Sequence, residues 1–168
     1  MASVTIYAPS LTTYGYNAFG NSASGPKIYV FSDCVNTYKA RWSDYSSKIE
    51  AIVLAVNDAG NSSGKWTTYY NALTDVTVSA ATIYKAAISG DKSKVVLTEV
   101  AGSVVKRGEA VLLNSADAIE LLSAASSGSG DYSGNDLKGG TTVTTGYDAY
   151  TLSRGSRNTK GTVLFVYQ

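Results

Sequence analysis

Residues 65–114 carry the pattern that most restricts how this chain can fold. Short apolar or β-branched stretches recur there, and Gly-Asp, Ala-Gly and Arg-Gly pairs separate them. Stretches of strand length broken by turn-forming residues at this spacing are typical of a β-meander. The polar residues fall where the chain must turn, so the segment predicts strands that pair and pack with one another.

The same pattern extends to both sides of this segment. Short strands that recur with Gly-rich turns indicate a sandwich or barrel, and they argue against a parallel α/β sheet. The low-complexity stretch 126–140 predicts a loop. The predicted strands are 27–31, 48–56, 66–70, 76–79, 83–89, 94–100, 110–114, 141–145, 149–153 and 162–167.

Two segments leave the type of element open. Residues 48–56 are almost continuously apolar, and periodicity alone does not separate a buried strand from a helix there. Turn-rich flanks favour a central strand. A short helix is the alternative, favoured by Glu50, Ala51, Leu54 and Ala55. Residues 118–125 fit either a strand or a helical turn.

The expected fold is therefore all-β, an antiparallel β-sandwich or barrel-like meander with an extended N-terminal arm. Residues 1–26, which are rich in Tyr, Asn, Gly and Ser, are assigned to the arm. Residues 27–168 are assigned to a single all-β domain. A chain of 168 residues has room for one domain with an adequate core.

The arm has two interpretations. In the first it is a loosely packed terminus. In the second its aromatic residues lie across a neighbouring subunit, because tyrosine supplies much contact area at a low entropic cost. Main-chain pairing around residues 4–7 is one mode of such docking. The aromatic residues in question are Tyr7, Tyr14, Tyr16 and Phe19.

Composition argues against several classes of function. Charged residues make up 16% of the chain and the net charge is +1, which argues against a nucleic-acid-binding protein. The chain has no histidine, the commonest general base and metal ligand. The single cysteine, Cys34, excludes an internal disulfide and predicts a small buried residue. We therefore expect no enzyme activity, no cofactor and no catalytic metal.

The sequence also bears on location. No stretch approaches the roughly 20 apolar residues that a membrane-spanning helix needs, and the first residues show no signal peptide. Thirteen tyrosines and 16 glycines, with abundant Ser, Thr and Asn, give the chain an extracellular character. The expected location is a virion or the cell exterior.

Three groups of polar or aromatic residues are candidates for binding. Asp131, Asn135 and Asp136 offer oxygen ligands that suit Ca²⁺, although Asp and Asn in such a loop are more simply turn formers. Arg154, Arg157 and Lys160 form a basic hairpin tip that either contacts an acidic partner or solvates an exposed turn. In the strand WTTYY one face must be core, and the opposite face would expose Tyr69 to stack on a sugar ring or a subunit.

Several segments follow one another in a recognisable order: WTTYYN, IYKAAISGDKSKVVLTEV, VVKRGEAVLLN, SGNDLKGG and YTLSRGSRNTKGTVLFVY. Over roughly residues 65–168 this order resembles a β-module that recurs in surface and secreted proteins of Bacteroidetes. The chain departs from the module at 104–108, where the proline is missing, and at 165–167, where the glycine before the aromatic residue is missing. The resemblance implies a non-catalytic accessory or adhesion-like module.

The expected function is that of a non-catalytic structural or assembly protein, a capsid-associated decoration or fibre protein of a bacteriophage. The alternative is a secreted or cell-surface module for adhesion or carbohydrate binding in a Bacteroidetes bacterium. The expected partners are proteins, through self-association or a capsid-like lattice, and a glycan is the alternative ligand. No nucleic acid and no membrane span are expected.

Overall fold

The structure, a computed structural model, describes residues 3–11, 13, 25–58, 64–91, 93–124, 130–139, 150–154 and 163–167, with the main chain alone at 58, 150–154 and 163–167. The helix α1 spans Val35–Arg41, and 3-10 helical segments span Ser32–Cys34 and Ser43–Lys48. The strands are β1 (Ser3–Ile6), β2 (Lys27–Val30), β3 (Ile49–Ala51), β4 (Val53–Leu54), β5 (Asn57–Asp58), β6 (Lys65–Tyr70), β7 (Val76–Val78), β8 (Thr82–Ile88), β9 (Val95–Val100), β10 (Val104–Val105), β11 (Ala110–Ser115), β12 (Ile119–Ser123), β13 (Tyr150–Arg154) and β14 (Val163–Tyr167).

The strands form antiparallel sheets and one parallel sheet. A five-stranded antiparallel sheet has the order β5-β6-β11-β8-β9, and a four-stranded one has the order β10-β7-β12-β4. Strands β1, β2 and β3 form a parallel sheet, and β13 pairs with β14. The all-β prediction is confirmed, since strands dominate and the described residues contain one short α-helix.

The parallel sheet continues into the four-stranded sheet through Ile52. The amide of Ile52 donates to the carbonyl of Val30 at 2.8 Å, and its carbonyl accepts from the amide of Leu121 at 3.0 Å. Both this composite sheet and the five-stranded sheet contribute side chains to one hydrophobic core. The core residues include Ile28, Val30, Ile49, Val76, Val78, Ile83, Val111, Leu113, Ile119 and Leu121.

Strand β11 shows why the five-stranded sheet is central. Val111 and Leu113 belong to the core, where they face Tyr69 of β6 and Ile83 of β8 across the ladder. Leu112 points to the opposite face and is also buried, although it lies outside that core cluster. A strand that is covered on both faces has a continuous apolar sequence, as residues 111–113 (VLL) have here.

The structure corrects the expected pairing of the strands and decides between the alternatives for residues 48–56. The fold is not antiparallel throughout, because β1, β2 and β3 run parallel. The helical stretch from Ser32 to Lys48, which the sequence did not predict, carries the chain back between β2 and β3 and so makes parallel pairing possible. The helix alternative for residues 48–56 is wrong, because residues 49–54 form β3 and β4 with Ile52 between them.

The beginning of the predicted arm is docked on the chain itself. Strand β1 pairs with β2 in register from Ser3 opposite Lys27 to Ile6 opposite Val30. The ring of Tyr7 meets that of Phe31 edge-on at 5.9 Å, and the hydroxyl of Tyr38 donates to the carbonyl of Ala8 at 3.0 Å. Main-chain pairing around residues 4–7, considered above for a neighbouring subunit, is therefore made with β2 of the same chain.

Candidate functional site

Among the strands that the structure describes, β9 lies at an edge of the five-stranded sheet. It pairs with β8 at six positions, from Ile83 opposite Val100 to Ile88 opposite Val95. On its other side no strand of the described chain pairs with it. The edge strand therefore presents main-chain donors and acceptors that are available to a further strand.

The alternation of the ladder shows which groups face outward. The amide of Ser89 donates to the carbonyl of Lys94 at 2.9 Å, so Lys94 directs its carbonyl toward β8. In an antiparallel pair this orientation alternates along the strand. Val95, Leu97 and Glu99 therefore point their amides and carbonyls away from β8.

The opposite side of β8 supports this assignment. Ala86 lies across from Leu97, yet it donates its amide to Oδ1 of Asn135 at 3.2 Å. Its carbonyl accepts from the amide of Asp136 at 2.8 Å. Ala86 thus uses both main-chain groups on the side away from β9, as a residue in a non-hydrogen-bonded pair must.

The side chains of β9 leave this edge unprotected. Val96 is 43% exposed, and the strand contains no proline or glycine. Glu99 is the one charged residue within β9. Natural edge strands are usually short, or carry proline, bulges or several charges that discourage pairing with other chains. The other outer strands of the sheets that share the core are shorter: β1 has four residues, and β5 and β10 have two each.

The turn before β9 is fixed by Asp91. One of its carboxylate oxygens accepts from the Ser89 hydroxyl at 2.5 Å and from the Ser93 amide at 3.1 Å. The other accepts from the Ser93 hydroxyl at 2.8 Å. These hydrogen bonds, led by that from Ser89, lower the pKa of Asp91 from 3.8 to about 2. The edge strand therefore begins at a well-defined point.

Residues 130–139, here called the clasp, bind β8 on the side away from β9. Asn135 bridges β8 and β11, because its amide group also donates to the carbonyl of Ala110 at 2.8 Å and to Glu109 at 3.3 Å. The hydroxyl of Tyr132 donates to the carbonyl of Val104 at 2.8 Å. The clasp thus ties three strands together through main-chain carbonyls and amides.

The three residues considered for calcium serve the clasp instead. Asp131 accepts from the Ser133 amide at 2.9 Å and from Nζ of Lys85 at 3.3 Å, and these partners, led by Ser133, lower its pKa to about 2. Asp136 accepts from the Ile88 amide at 2.8 Å. Their interpretation as turn and loop formers agrees with these contacts. No cluster of three or more Cys, Asp or Glu that could hold a metal occurs among the described residues.

Tyr69 is buried, so its predicted exposure is wrong. The alternation along β6 was predicted correctly, but the opposite face is the core. Tyr69 faces Val111 in the core, whereas Tyr70 is 38% exposed on the outer face. Burial is the main reason that the pKa of Tyr69 is raised.

The remaining candidates are placed as follows. Tyr7 is half-buried beside the core, which raises its pKa. Cys34 is buried as predicted, and burial also raises the pKa of its thiol. Arg154 ends β13, and its side chain is outside the described residues. Tyr14, Tyr16, Phe19, Arg157 and Lys160 lie outside the described residues.

An aromatic pair on the outer face was missed. The rings of Trp66 and Tyr84 lie 5.2 Å apart with a tilt of 47°. The alternation of β6 placed Trp66 and Tyr70 on one face, but the sequence carries no signal that brings β8 to the same surface. The open edge of β9 was missed for a related reason, since strand order is not encoded in any local pattern.

A scan against protein-family models and searches of curated proteins and of solved structures find no match to this chain. The resemblance to the Bacteroidetes module therefore stays a prediction. In the part of the chain that the structure describes, no helix is long and apolar enough to cross a membrane.

Proposed function

We propose that this chain is a non-catalytic structural protein that acts by assembling into a larger body, in the first place as a decoration or fibre protein of a bacteriophage virion. The observation that carries the proposal is the open edge of β9. Proteins that work as monomers generally cover or charge such an edge, because it otherwise recruits other chains. An edge of six residues that starts at a fixed turn is suited to strand addition.

The rigidity of the surroundings supports the same function. Strand addition costs less ordering entropy when the receiving strand is already fixed. Here the Asp91 turn fixes one end of β9, and Val100 is anchored in the core at the other. The low charge of the whole chain also lowers the electrostatic cost of packing copies together.

The test is a measurement of mass in solution and in particles. The full chain should show a concentration-dependent increase in mass by sedimentation velocity. In lysates that contain phage particles, the chain should band with the particles on a density gradient and be found there by mass spectrometry. A chain that stays monomeric and never bands with particles contradicts the proposal.

A second candidate function is glycan binding at a cell surface. It is favoured by the Trp66–Tyr84 pair and by Tyr70, which the alternation of β6 places on the same face. Aromatic rings on a sheet face present flat apolar surfaces on which sugar rings stack. Retention of the full chain on immobilised polysaccharides, reduced by Tyr70→Ala, would support this candidate. Absence of retention on every glycan tried would contradict it.

A further inference from the structure

We propose that two copies of this chain pair through β9, antiparallel and centred on Val96, so that two five-stranded sheets become one continuous sheet. This inference rests on the proposed assembly function and names its partner, a second copy of the same chain. It follows from which groups of β9 face outward and from the order of residues along the strand.

Symmetry limits the registers that are available. A two-fold axis perpendicular to the sheet keeps each side chain on its own face. Antiparallel strands join outward-facing residues in hydrogen-bonded pairs. Val95, Leu97 and Glu99 must therefore meet outward-facing residues of the second copy. The axis must then pass midway between the two copies of one residue of the strand.

The register centred on Val96 places apolar side chains opposite apolar ones and avoids opposed like charges. Val96 meets Val96 of the second copy, and Val95 meets Leu97, so apolar side chains face apolar ones. Lys94 meets Thr98, and Glu99 falls opposite Ser93, so no two like charges are directly opposed. Directly opposed like charges destabilise a sheet, whereas apolar β-branched pairs stabilise it.

The neighbouring registers are poorer. Centring on Val95 would place Asp91 opposite Glu99, which sets two carboxylates against each other. Centring on Leu97 would place Glu99 opposite Val95, which sets a charge against an apolar side chain. Charge complementarity along β9 thus selects the register centred on Val96.

The pairing also accounts for the exposure of Val96. In this register Val96 lies in a non-hydrogen-bonded pair, where opposed Cα atoms approach to about 4.5 Å and side chains are closest. The two valines would cover each other, and each Val95–Leu97 pair would exchange both main-chain hydrogen bonds. An interface limited to one strand edge is small, so the dimer should be weak and should form reversibly.

The main test compares the full chain with two lysine variants by sedimentation velocity over a wide range of concentration. Val96→Lys places two cations against each other at the axis and should abolish the dimer. Val53→Lys is the matched control, because Val53 is a similarly exposed valine at 49% on the short strand β4. It should dimerise as the unchanged chain does. Circular dichroism checks that both variants remain folded.

A third variant tests the register through an expected gain in dimer affinity. Thr98→Glu sets a carboxylate opposite Lys94 of the second copy at both ends of the interface. The dimer should become tighter by about threefold to tenfold at low salt, and this gain should fade at high salt. In the register centred on Leu97 the same change would oppose Val96 and weaken the dimer.

Hydrogen exchange supplies an independent readout. Raising the concentration should slow exchange at the amides of Val95, Leu97 and Glu99. The amides of Val96 and Thr98, which face β8, should be protected at every concentration.

The outcomes separate the two proposals. If the chain assembles but Val96→Lys assembles equally well, or Val53→Lys fails equally, the β9 dimer is wrong and the assembly function stands. If the chain is monomeric at every concentration, the β9 dimer is wrong. If that monomer is also absent from particles, the assembly function is wrong as well.

Discussion

Residues 25–58 pack large apolar side chains into the core, whereas the clasp is attached to the sheet mainly by polar side chains that bind main-chain groups. Phe31, Tyr38 and Trp42 are at most 2% exposed, and the rings of Tyr38 and Trp42 meet edge-on at 5.1 Å. In the clasp, Asp131 and Asp136 are exposed and Asn135 is half-buried. One region is stabilised by buried area, the other by a set of specific hydrogen bonds.

This difference predicts how substitutions in each region lower the stability of the protein. Burial is distributed over many contacts, and its loss scales with the volume removed. A hydrogen-bonded clasp depends on each member, because every lost partner leaves a main-chain group unpaired. The apolar region should therefore show the largest single effects, whereas the clasp should show smaller effects, part of which depend on the pH.

The largest effect is expected for Trp42→Ala. Removing this fully buried ring from beside Tyr38 should cost about 3–5 kcal/mol of unfolding free energy. Urea unfolding followed by fluorescence and circular dichroism measures the loss. Tyr45→Ala, which removes a half-buried ring from the adjacent 3-10 segment, is the control and should cost clearly less. Equal losses would mean that the apolar region does not depend on its buried rings.

A middle-sized effect is expected for Asn135→Ala in the clasp. The change leaves the amide of Ala86 and the carbonyl of Ala110 without this partner, and both residues are buried. Since each unsatisfied buried group costs about 1–3 kcal/mol, the loss should be about 2–4 kcal/mol. Asn36→Ala, at an exposed position on α1, is the control and should stay within about 0.5 kcal/mol. A negligible loss at Asn135 would show that the clasp is not structural.

These two regions also differ in how far the sequence predicted them. Strands β6, β8, β9 and β11 were predicted nearly to the residue, because turn residues mark their ends and β8 and β9 pair as neighbouring segments of the chain. The helical stretch 32–48 was not predicted. It is short, lacks a side-chain cap at its start, and is fixed by burial of Tyr38 and Trp42. Tertiary packing thus decided a structure that local propensity left open.

The candidate site was harder to predict than the fold. The sequence identified β9 as a strand but gave no information on its place at the edge, which depends on the order of all the strands. For WTTYY, alternation grouped the residues correctly, yet only the contact of Tyr69 with Val111 across the ladder shows which face is core. In the clasp, the sequence predicted Asn135 as a turn former. Its contacts with β8 and β11 could not be predicted, because these strands lie about 25 to 50 residues away in sequence.

A smaller effect is expected from a matched pair of tyrosines, one in each region. The hydroxyl of Tyr38 donates to the carbonyl of Ala8, and that of Tyr132 donates to the carbonyl of Val104. Tyr38→Phe and Tyr132→Phe should each cost about 1 kcal/mol, the net worth of one such hydrogen bond. Hydrogen exchange should then distinguish them, with faster exchange in β1 for the first change and in β10 for the second. Faster exchange at the wrong strand would contradict the assignment of these contacts.

The smallest effect is a pH dependence that belongs to Asp131 of the clasp and to Asp91 of the turn before β9. Both carboxyls have a folded-state pKa of about 2, below the ordinary value of 3.8, because hydrogen bonds favour their charged form. Their contribution to stability is therefore complete above pH 4 and is lost as the pH falls from about 4 toward 2. Both side chains are exposed, so solvent screening keeps the contribution small.

Melting temperatures measured between pH 6 and pH 2 test this dependence. Asp91→Asn and Asp131→Asn should each flatten the curve between pH 4 and pH 2, because the substituted side chain no longer titrates. Trp42→Ala should lower the whole curve without changing its slope there, since no titrating group is removed from the apolar region. If neither asparagine variant flattens the curve, the acid sensitivity lies in other carboxyls and the contrast between the two regions does not extend to pH.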